Sequence, residues 1–503
     1  IKDAAALMVG EGHNMQNLRA TLAYNRADLA RREPKKRLAV LNTTQGYIEQ
    51  QLGVGDGASR VELLLCLGEW SELKAELLGA EGDEEGRVEA LRIAFGSFGG
   101  EGQGASEGRE RGHSSSGNGA GSSIRLASMC DRMLASWEEE QKGSAPLPFE
   151  PTLPAAAVAV MVVEHTLKGL NEDEASSRTA RGTLPRLLDL IRRYPEARQP
   201  FVAGTAASPS WLFLRWTGQM MAVLDRDEGD AVVPALERMA KDFPSALRYP
   251  LRISLENLEG ASAEQRTVKL KQLLAHRTTD AFVSALEGLN HPEIWLGDCI
   301  KAIQKMFVAT KDKGSVLPAA QAEFESMKSK VLLDERAHIG DKLGTYNRDF
   351  TKQWRRKLYK LFGEDGAKLE PKSLRVASDD VKKSTAAISA GKMDLKQFSV
   401  WLADYDGSVK RPEDQLEVPG QYWWPAQLPR PDLHARISSF GSETLTMGSI
   451  RKPKRLTVHG DDEHEYNFLV KGGEDLRNDE RVEQLLTLMN GILRADGRVA
   501  PLA

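Results

Sequence analysis

The chain has 503 residues, 41% of them hydrophobic and 28% charged, with a formal net charge of −4. Such a length predicts two to four domains of roughly 100–200 residues each, and the near-neutral balance excludes a chain-wide nucleic-acid footprint, leaving room only for local basic patches. Cys66, Cys130 and Cys299 are odd in number and widely spaced; they make neither a metal-ligand set nor a disulfide framework and fit a reducing compartment.

No secretory signal opens the chain, because the residues from Ile1 onward read as polar helix without an apolar core segment. Residue 1 is not Met, so a fragment of a longer chain is expected. The most apolar run, Ala155 to Val163, is far shorter than the roughly 20 residues of a membrane span. The expectation is an intracellular soluble protein without a membrane contact, cytoplasmic or nuclear.

Up to about Ala94 the apolar period is helical. In "SRVELLLCLGEWSELKAELLG", Ser59 to Gly79, one apolar face ends at Leu67, Gly68 breaks it, and Trp70 opens a second helix. This predicts a helix–turn–helix unit of the kind that stacks into a solenoid. Gly96 to Ser123 then holds ten Gly and seven Ser without an apolar period. Too little surface can be buried there to offset the ordering entropy, so a disordered insertion is expected. "GSAPLPFEPTLP", Gly143 to Pro154, reads as a proline-rich connector.

Helices resume after Ala155. "PSWLFLRWTGQMMAVLD" is read as one helix with Ser208 as its N-cap and Pro209 in its first turn. Its Trp211, Leu214, Met221 and Leu224 share a stripe that belongs to the core. "VVPALERMAKDF" follows and is stopped by Pro244. Between Gln321 and Phe362 lie long amphipathic helices, including the basic "TKQWRRKLYKLF". Its Trp354, Leu358 and Leu361 define an apolar side, and a solvated basic face is favoured over a phosphate-stacking surface.

After about Leu416 the period changes. "LEVPGQY" and "LHARISSF" read as short strands, "LTMGSIRKPKRLTVHG" as strand, tight turn and strand, and "YNFLVKGG" as the next strand. A helix follows from about Asp479 to Leu493, with Val482, Leu485, Leu486, Met489 and Leu493 on one face. The expected organisation is helical repeats over 1–95, the insertion and connector over 96–154, helical repeats over 155–295, a helical bundle over 296–410, and a small sheet with one helix over 416–503.

One residue in this last part invites chemistry. Phe468, Leu469 and Val470 are apolar on successive positions, so their strand is expected to be covered on both faces, and it ends in Lys471. A cation leaving such a strand needs a carboxylate or an anionic ligand. Glu474, Asp475 and Asp479 can supply the first, and the Gly448–Ser449 turn suits the cradling of phosphate oxygens. Turn, strand, lysine strand and acidic helix entry make up the half of a kinase site that grips ATP. The spacing alone is a weak signal, since neither a P-loop pattern nor a protein-kinase Gly-rich loop is present.

"FLVKGGEDLRNDERVEQLLTLMNGIL", extended upstream through "SIRKPKRLTVHGDDEHEYNFLVKGGEDLR" to "LEVPGQY", resembles the N-lobe signature of the phosphatidylinositol-3-kinase-related protein kinases. "PSWLFLRWTGQMMAVLDRDEG", "ALRYPLRIS" and "NRDFTKQWRRKLYKLFGEDGAKL" are similar to the helices that precede the kinase domain in the family's DNA-repair member. The likeness spans roughly Pro209 to Leu493 and is weak before Ala155. It implies a mainly α fold, with FAT-type helical repeats and a helical bundle followed by a small α+β kinase N-lobe.

The resemblance also implies roles. Met447, Gly448 and Ser449 would form the phosphate-covering loop, Lys471 would contact the ATP phosphates, Glu474 would orient the lysine, and Asp479 would line the inner nucleotide pocket. The family's "RQD" reads Arg477-Asn478-Asp479 here. The family transfers the γ-phosphate of ATP to protein Ser or Thr with Mg²⁺, and its DNA-repair member is nuclear and is recruited to DNA ends by the Ku heterodimer for non-homologous end joining. Those protein substrates and partners are implied by resemblance only.

The family's catalytic loop and its metal-binding DFG lie beyond the lysine, and nothing up to Ala503 matches them. No catalytic or metal residue is therefore expected within this chain, which alone should be inactive. "IGDKLGTYN", Ile339 to Asn347, is rejected as a catalytic loop because it precedes the lysine and lacks the histidine. Two alternatives stay open: a non-enzymatic scaffold with a vestigial N-lobe, and a lipid kinase or nutrient-signalling relative on the same lobe. His113 and His165 read as ordinary surface or core histidines.

Overall fold

The computed structural model describes residues 34–52, 57–97, 121–140, 154–255, 258, 260–309, 313–328, 344–422, 428–473 and 476–495. The chain divides into two compact units, one running to Ala275 and including Tyr422–Pro429, the other comprising His276–Gln421 and Arg430–Ala503.

In the first unit α1 (Pro34–Leu52), α2 (Gly57–Glu81) and α3 (Glu84–Phe95) enclose Leu41, Ile48, Leu63, Leu67 and Trp70. The break expected at Gly68 does not occur, because α2 runs straight through it. One glycine inside a helix costs roughly 1 kcal/mol, and burial of Leu67, Trp70 and Leu78 around it offsets that. The chain turns instead at Gly82, whose φ of 78° suits glycine. Asp83 then caps α3 by accepting the Gly86 N–H at 2.9 Å.

The span read as insertion and connector contains a helix. α4 (Ser122–Glu140) buries Leu126, Met129, Cys130 and Leu134 at helical spacing. Most of the Gly/Ser run (98–120) and of the proline-rich connector (141–153) lies outside the described residues. The apolar run after Ala155 becomes α5 (Ala155–Gly169), a core helix burying Val158, Val162, Val163 and Leu167. Burial lowers the pKa of His165 on α5 to about 4, as fits a core histidine.

The acid Asp173 caps α6 (Glu174–Gly182), and α7 (Leu184–Arg193) follows. Arg186 of α7 ties the helix to α4 through Asp131 at 2.8 Å and Glu138 at 3.0 Å. α8 (Arg198–Ala207) lies so close to α5 that a Cβ on Gly204 would overlap Leu167.

Pro209 to Asp225 is not one helix. Ser210–Trp216 is a 3₁₀ helix, α9 (Thr217–Met221) is a single turn, and Pro209 rather than Ser208 holds the N-cap position. Trp211 to Leu214 are successive apolar residues, so the segment has no polar stripe to set a 3.6-residue face. The tighter winding buries Leu212, Phe213, Leu214 and Trp216 together. Met221 and Leu224 are fully buried, as expected. α10 (Gly229–Asp242), α11 (Pro244–Leu255) and α12 (Ala261–Leu274) complete the unit, with Pro244 ending one helix and opening the next.

The second unit begins with α13 (Arg277–Glu287), α14 (Pro292–Ala309), α15 (Lys313–Met327), α16 (Thr345–Phe362) and α17 (Pro371–Ala386). Leu296, Ile300, Phe324, Trp354, Leu358 and Phe362 form its core. The basic stretch of α16 is a solvated face over an apolar side. Trp354 is buried and stacks on Phe350 at 5.8 Å, while Lys357 covers its ring at 4.8 Å and pairs with Asp380 at 2.8 Å.

The sheet follows. β1 (Gly391–Asp394), then the short α18 (Val400–Ala403), precede β2 (Ile437–Thr446), β3 (Lys454–Gly460) and β4 (Glu465–Val470), and α19 (Arg477–Ala495) comes last. The order is β1-β2-β3-β4, antiparallel throughout. β1 comes from the segment counted as helical bundle. "LEVPGQY" supplies a single bridge, Glu417 to Arg436, before Gly420 turns the chain with φ at 99°. The next strand starts at Ile437 rather than Leu433, since Pro431–Leu433 is a 3₁₀ turn.

The lysine strand is not covered on both faces. β4 is last in the order and alternates between exposed and half-buried positions, with Leu469 48% exposed. Its apolar run has the period-2 alternation of an edge strand rather than the double burial of a central one. α19 carries Val482, Leu485, Leu486, Met489 and Leu493 on one face as expected, and each is 42–56% exposed.

Candidate functional site

The tight turn between β2 and β3 and the end of β4 meet at one edge of the sheet. Thr446 pairs with Lys454, and Lys454 with Val470, so Lys471 emerges beside the turn of residues 447–453. The turn is closed by the Met447 N–H donating to the Pro453 carbonyl at 2.8 Å and the Lys452 N–H donating to Ser449 at 3.1 Å. Lys452 adopts a φ of 50°, which lets the chain reverse in so few residues. Gly448 and Ser449 stand exposed at its tip.

Lys471 leaves β4 half-buried, and its Nζ lies 3.6 Å from Oδ2 of Asp479 in the first turn of α19. A carboxylate in that position also meets the positive end of the helix dipole. The structure thus brings together Met447, Gly448, Ser449, Lys471 and Asp479. Glu474, the carboxylate expected to orient the lysine, lies outside the described residues.

Segment 290–298, comprising the loop before α14 and its first turns, packs against both parts of this edge. Arg451 in the turn forms an ion pair with Asp298. A Cβ on Gly472 would overlap the Asn290 amide, and one on Gly473 would stand 3.3 Å from Arg451 Nη1 and 3.6 Å from Trp295 Nε1. Gly473 also has φ at 70°. The two glycines after the lysine are therefore required by close approach and by backbone conformation.

Sequence reasoning missed a buried polar cluster behind the turn. Lys454, in "RKPKRL", reads as part of a solvated basic run, yet it is 1% exposed. Its Nζ makes no hydrogen bond among the described residues and lies 4.2 Å from the centre of the Phe398 ring. Burial pushes its pKa down to about 7, against the pull of nearby Glu293. Burial likewise raises Glu293, which accepts the Tyr346 hydroxyl at 2.7 Å. The Tyr346 oxygen lies 3.2 Å from His291 Nδ1, and burial with the cation of Lys454 lowers that histidine to about 3. The pattern that could have exposed this is strand alternation, since Lys454, Leu456 and Val458 all face inward.

Among the described residues, no group of His, Cys, Asp and Glu could hold a metal ion and no helix is long and apolar enough to cross a membrane. Cys130 is buried, and its thiol is pushed up to about 12 by that burial.

No family model matches the chain. It is 33% identical over 384 residues, 74% of its length, to the DNA-dependent protein kinase catalytic subunit of Dictyostelium discoideum, and 32% identical over 406 residues to that of Mus musculus. It is 28% identical over 283 residues, 53% of its length, to the serine/threonine-protein kinase TOR of Arabidopsis thaliana. The chain spans only 8% to 10% of these relatives. The extent of the first two likenesses, with the helical array running into a small four-stranded N-lobe, places the chain in the phosphatidylinositol-3-kinase-related protein kinase family.

Proposed function

We propose that this chain is the FAT-type helical region and ATP-gripping N-lobe of a serine/threonine protein kinase of the DNA-dependent type. The observation that carries the reading is the meeting of the Met447–Ser449 turn with Lys471, itself held by Asp479, at one edge of the sheet. Phosphoryl transfer depends chiefly on positioning and on neutralising phosphate charge. In this reading Met447, Gly448 and Ser449 cover the phosphates of ATP, and the Lys471 ammonium neutralises their charge. Asp479 lines the inner pocket and holds the lysine when nucleotide is absent, and Glu474 orients it in the occupied site. The general base and the Mg²⁺ ligands belong, by the same reading, outside these 503 residues.

Two of the relatives are named as catalytic subunits of a DNA-dependent protein kinase, which supports a kinase acting on protein substrates. A nuclear role in double-strand-break repair by end joining, with DNA ends and the Ku heterodimer as partners, is our extension from the family resemblance. The second reading is a scaffold in which Lys471 and Asp479 form only a structural pair, a role the observed 3.6 Å contact also fits. Nucleotide binding to the complete native protein separates the two. Lys471→Met is expected to weaken ATP binding by about tenfold or more while the fold persists. Unchanged ATP affinity in that variant, or no ATP binding by the native protein, would establish the scaffold.

A further inference from the structure

Three positions, Arg451, Gly472 and Gly473, converge on segment 290–298 in a way the nucleotide reading alone does not require. Asp298 pairs with Arg451, which belongs to the phosphate-covering turn. Asn290 fills the space that a side chain on Gly472 would take, and Trp295 with Arg451 lies against Gly473. The turn and the residues just after Lys471 are therefore both held from the same short piece of helical region.

We infer that segment 290–298 is a positioning element for ATP, with Asp298 setting the phosphate-covering turn through Arg451. Asp298 is 40% exposed and Arg451 29% exposed, so the pair adds little to stability in water. Its effect lies in geometry. A guanidinium held through Nη1 on one carboxylate oxygen restricts where the turn can travel. Lys301 Nζ stands 3.9 Å from the other oxygen of Asp298, so the carboxylate sits between two cations. A shift of α14 would reach the turn through Asp298 and the Lys471 backbone through Asn290 together. The helical region thereby acquires a direct hold on nucleotide affinity.

This inference rests on the ATP reading of the turn and Lys471. The test uses the complete native protein and measures KM for ATP, kcat and thermal midpoint for Asp298→Asn, Arg451→Met, Arg451→Lys and the exchange pair Asp298→Arg with Arg451→Asp. Lys471→Met serves as the reference. Asp298→Asn and Arg451→Met are expected to raise KM for ATP about three- to tenfold with little change in kcat, since a loosened turn loses binding shared by ground and transition states. Arg451→Lys should fall between them and the native protein, and the exchange pair should recover most of the loss. A lowered thermal midpoint with KM unchanged would overturn the inference and leave a merely structural ion pair. If Lys471→Met itself leaves ATP binding intact, the ATP reading fails first, an outcome distinct from a normal Lys471 response with an inert Asp298.

Discussion

The buried lysine behind the turn makes a quantitative demand on stability. In the unfolded chain Lys454 titrates near its ordinary value of 10.5, and in the folded chain near about 7. Between those values the unfolded chain holds one more proton, so this residue's contribution to stability rises with pH from about 7 to 10.5 and is flat below. Each pH unit is worth about 1.4 kcal/mol, so the full window carries up to ~5 kcal/mol. Lys454→Met removes the dependence and, at pH 7, most of the cost. The gain is reduced by the lost contact with the Phe398 face and by a Glu293 that no longer faces a cation, leaving about 1–3 kcal/mol. Urea unfolding of both proteins at pH 7, 8, 9 and 10 measures this directly. The advantage of Lys454→Met should shrink steeply as pH rises. Repeating the pair in a Glu293→Gln background removes the titration of that neighbour, while His291 and Tyr346 stay neutral across the range because burial lowers the first and raises the second. An advantage that stays constant from pH 7 to 10 would refute the reasoning and mean that Lys454 keeps an ordinary ammonium in the fold.

Gly472→Ala should destabilise the second unit by about 1–3 kcal/mol, because the new methyl enters the space of the Asn290 amide, and Asn290→Gly should restore most of that loss in urea unfolding. Trp354→Ala should cost about 3–5 kcal/mol in the same assay, since the ring is buried between Phe350 and the Lys357 stem.

What could be read in advance followed the strength of local periodicity. The hairpin around Pro453, the lysine strand and the helix after Asp479 all appeared where short apolar runs and turn residues placed them, though the strand alternates at the sheet edge instead of being covered on both faces, and residues quoted as a signature proved to be neighbours there. The apolar stripes of α10 and α16 were equally legible. Errors arose where packing outweighed propensity. Gly68 looked like a break, but the core behind it keeps α2 continuous, and the turn falls at Gly82 where backbone conformation demands glycine. The run after Trp211 carried no polar stripe, so its 3₁₀ winding had no signal. β1 is four residues long, too short for a period to show. Lys454 and Asp298 were invisible for another reason: their partners, Glu293 and Arg451, lie more than a hundred residues away along the chain, and only the fold brings such charges together.

The origin of β1 has one more consequence. Because Gly391–Asp394 hydrogen-bonds along Glu443–Thr446, the sheet borrows its first strand from the chain that has just left the helices. Sheet and bundle are therefore expected to melt as a single cooperative body, giving one transition in urea rather than two. A shortened protein beginning at residue 416 would strip β2 of its neighbour, bare a row of unpaired backbone groups, and leave Lys454 without Glu293. A boundary drawn from the change in apolar period leaves β1 outside the sheet it pairs with, whereas the compact unit that holds both begins at His276.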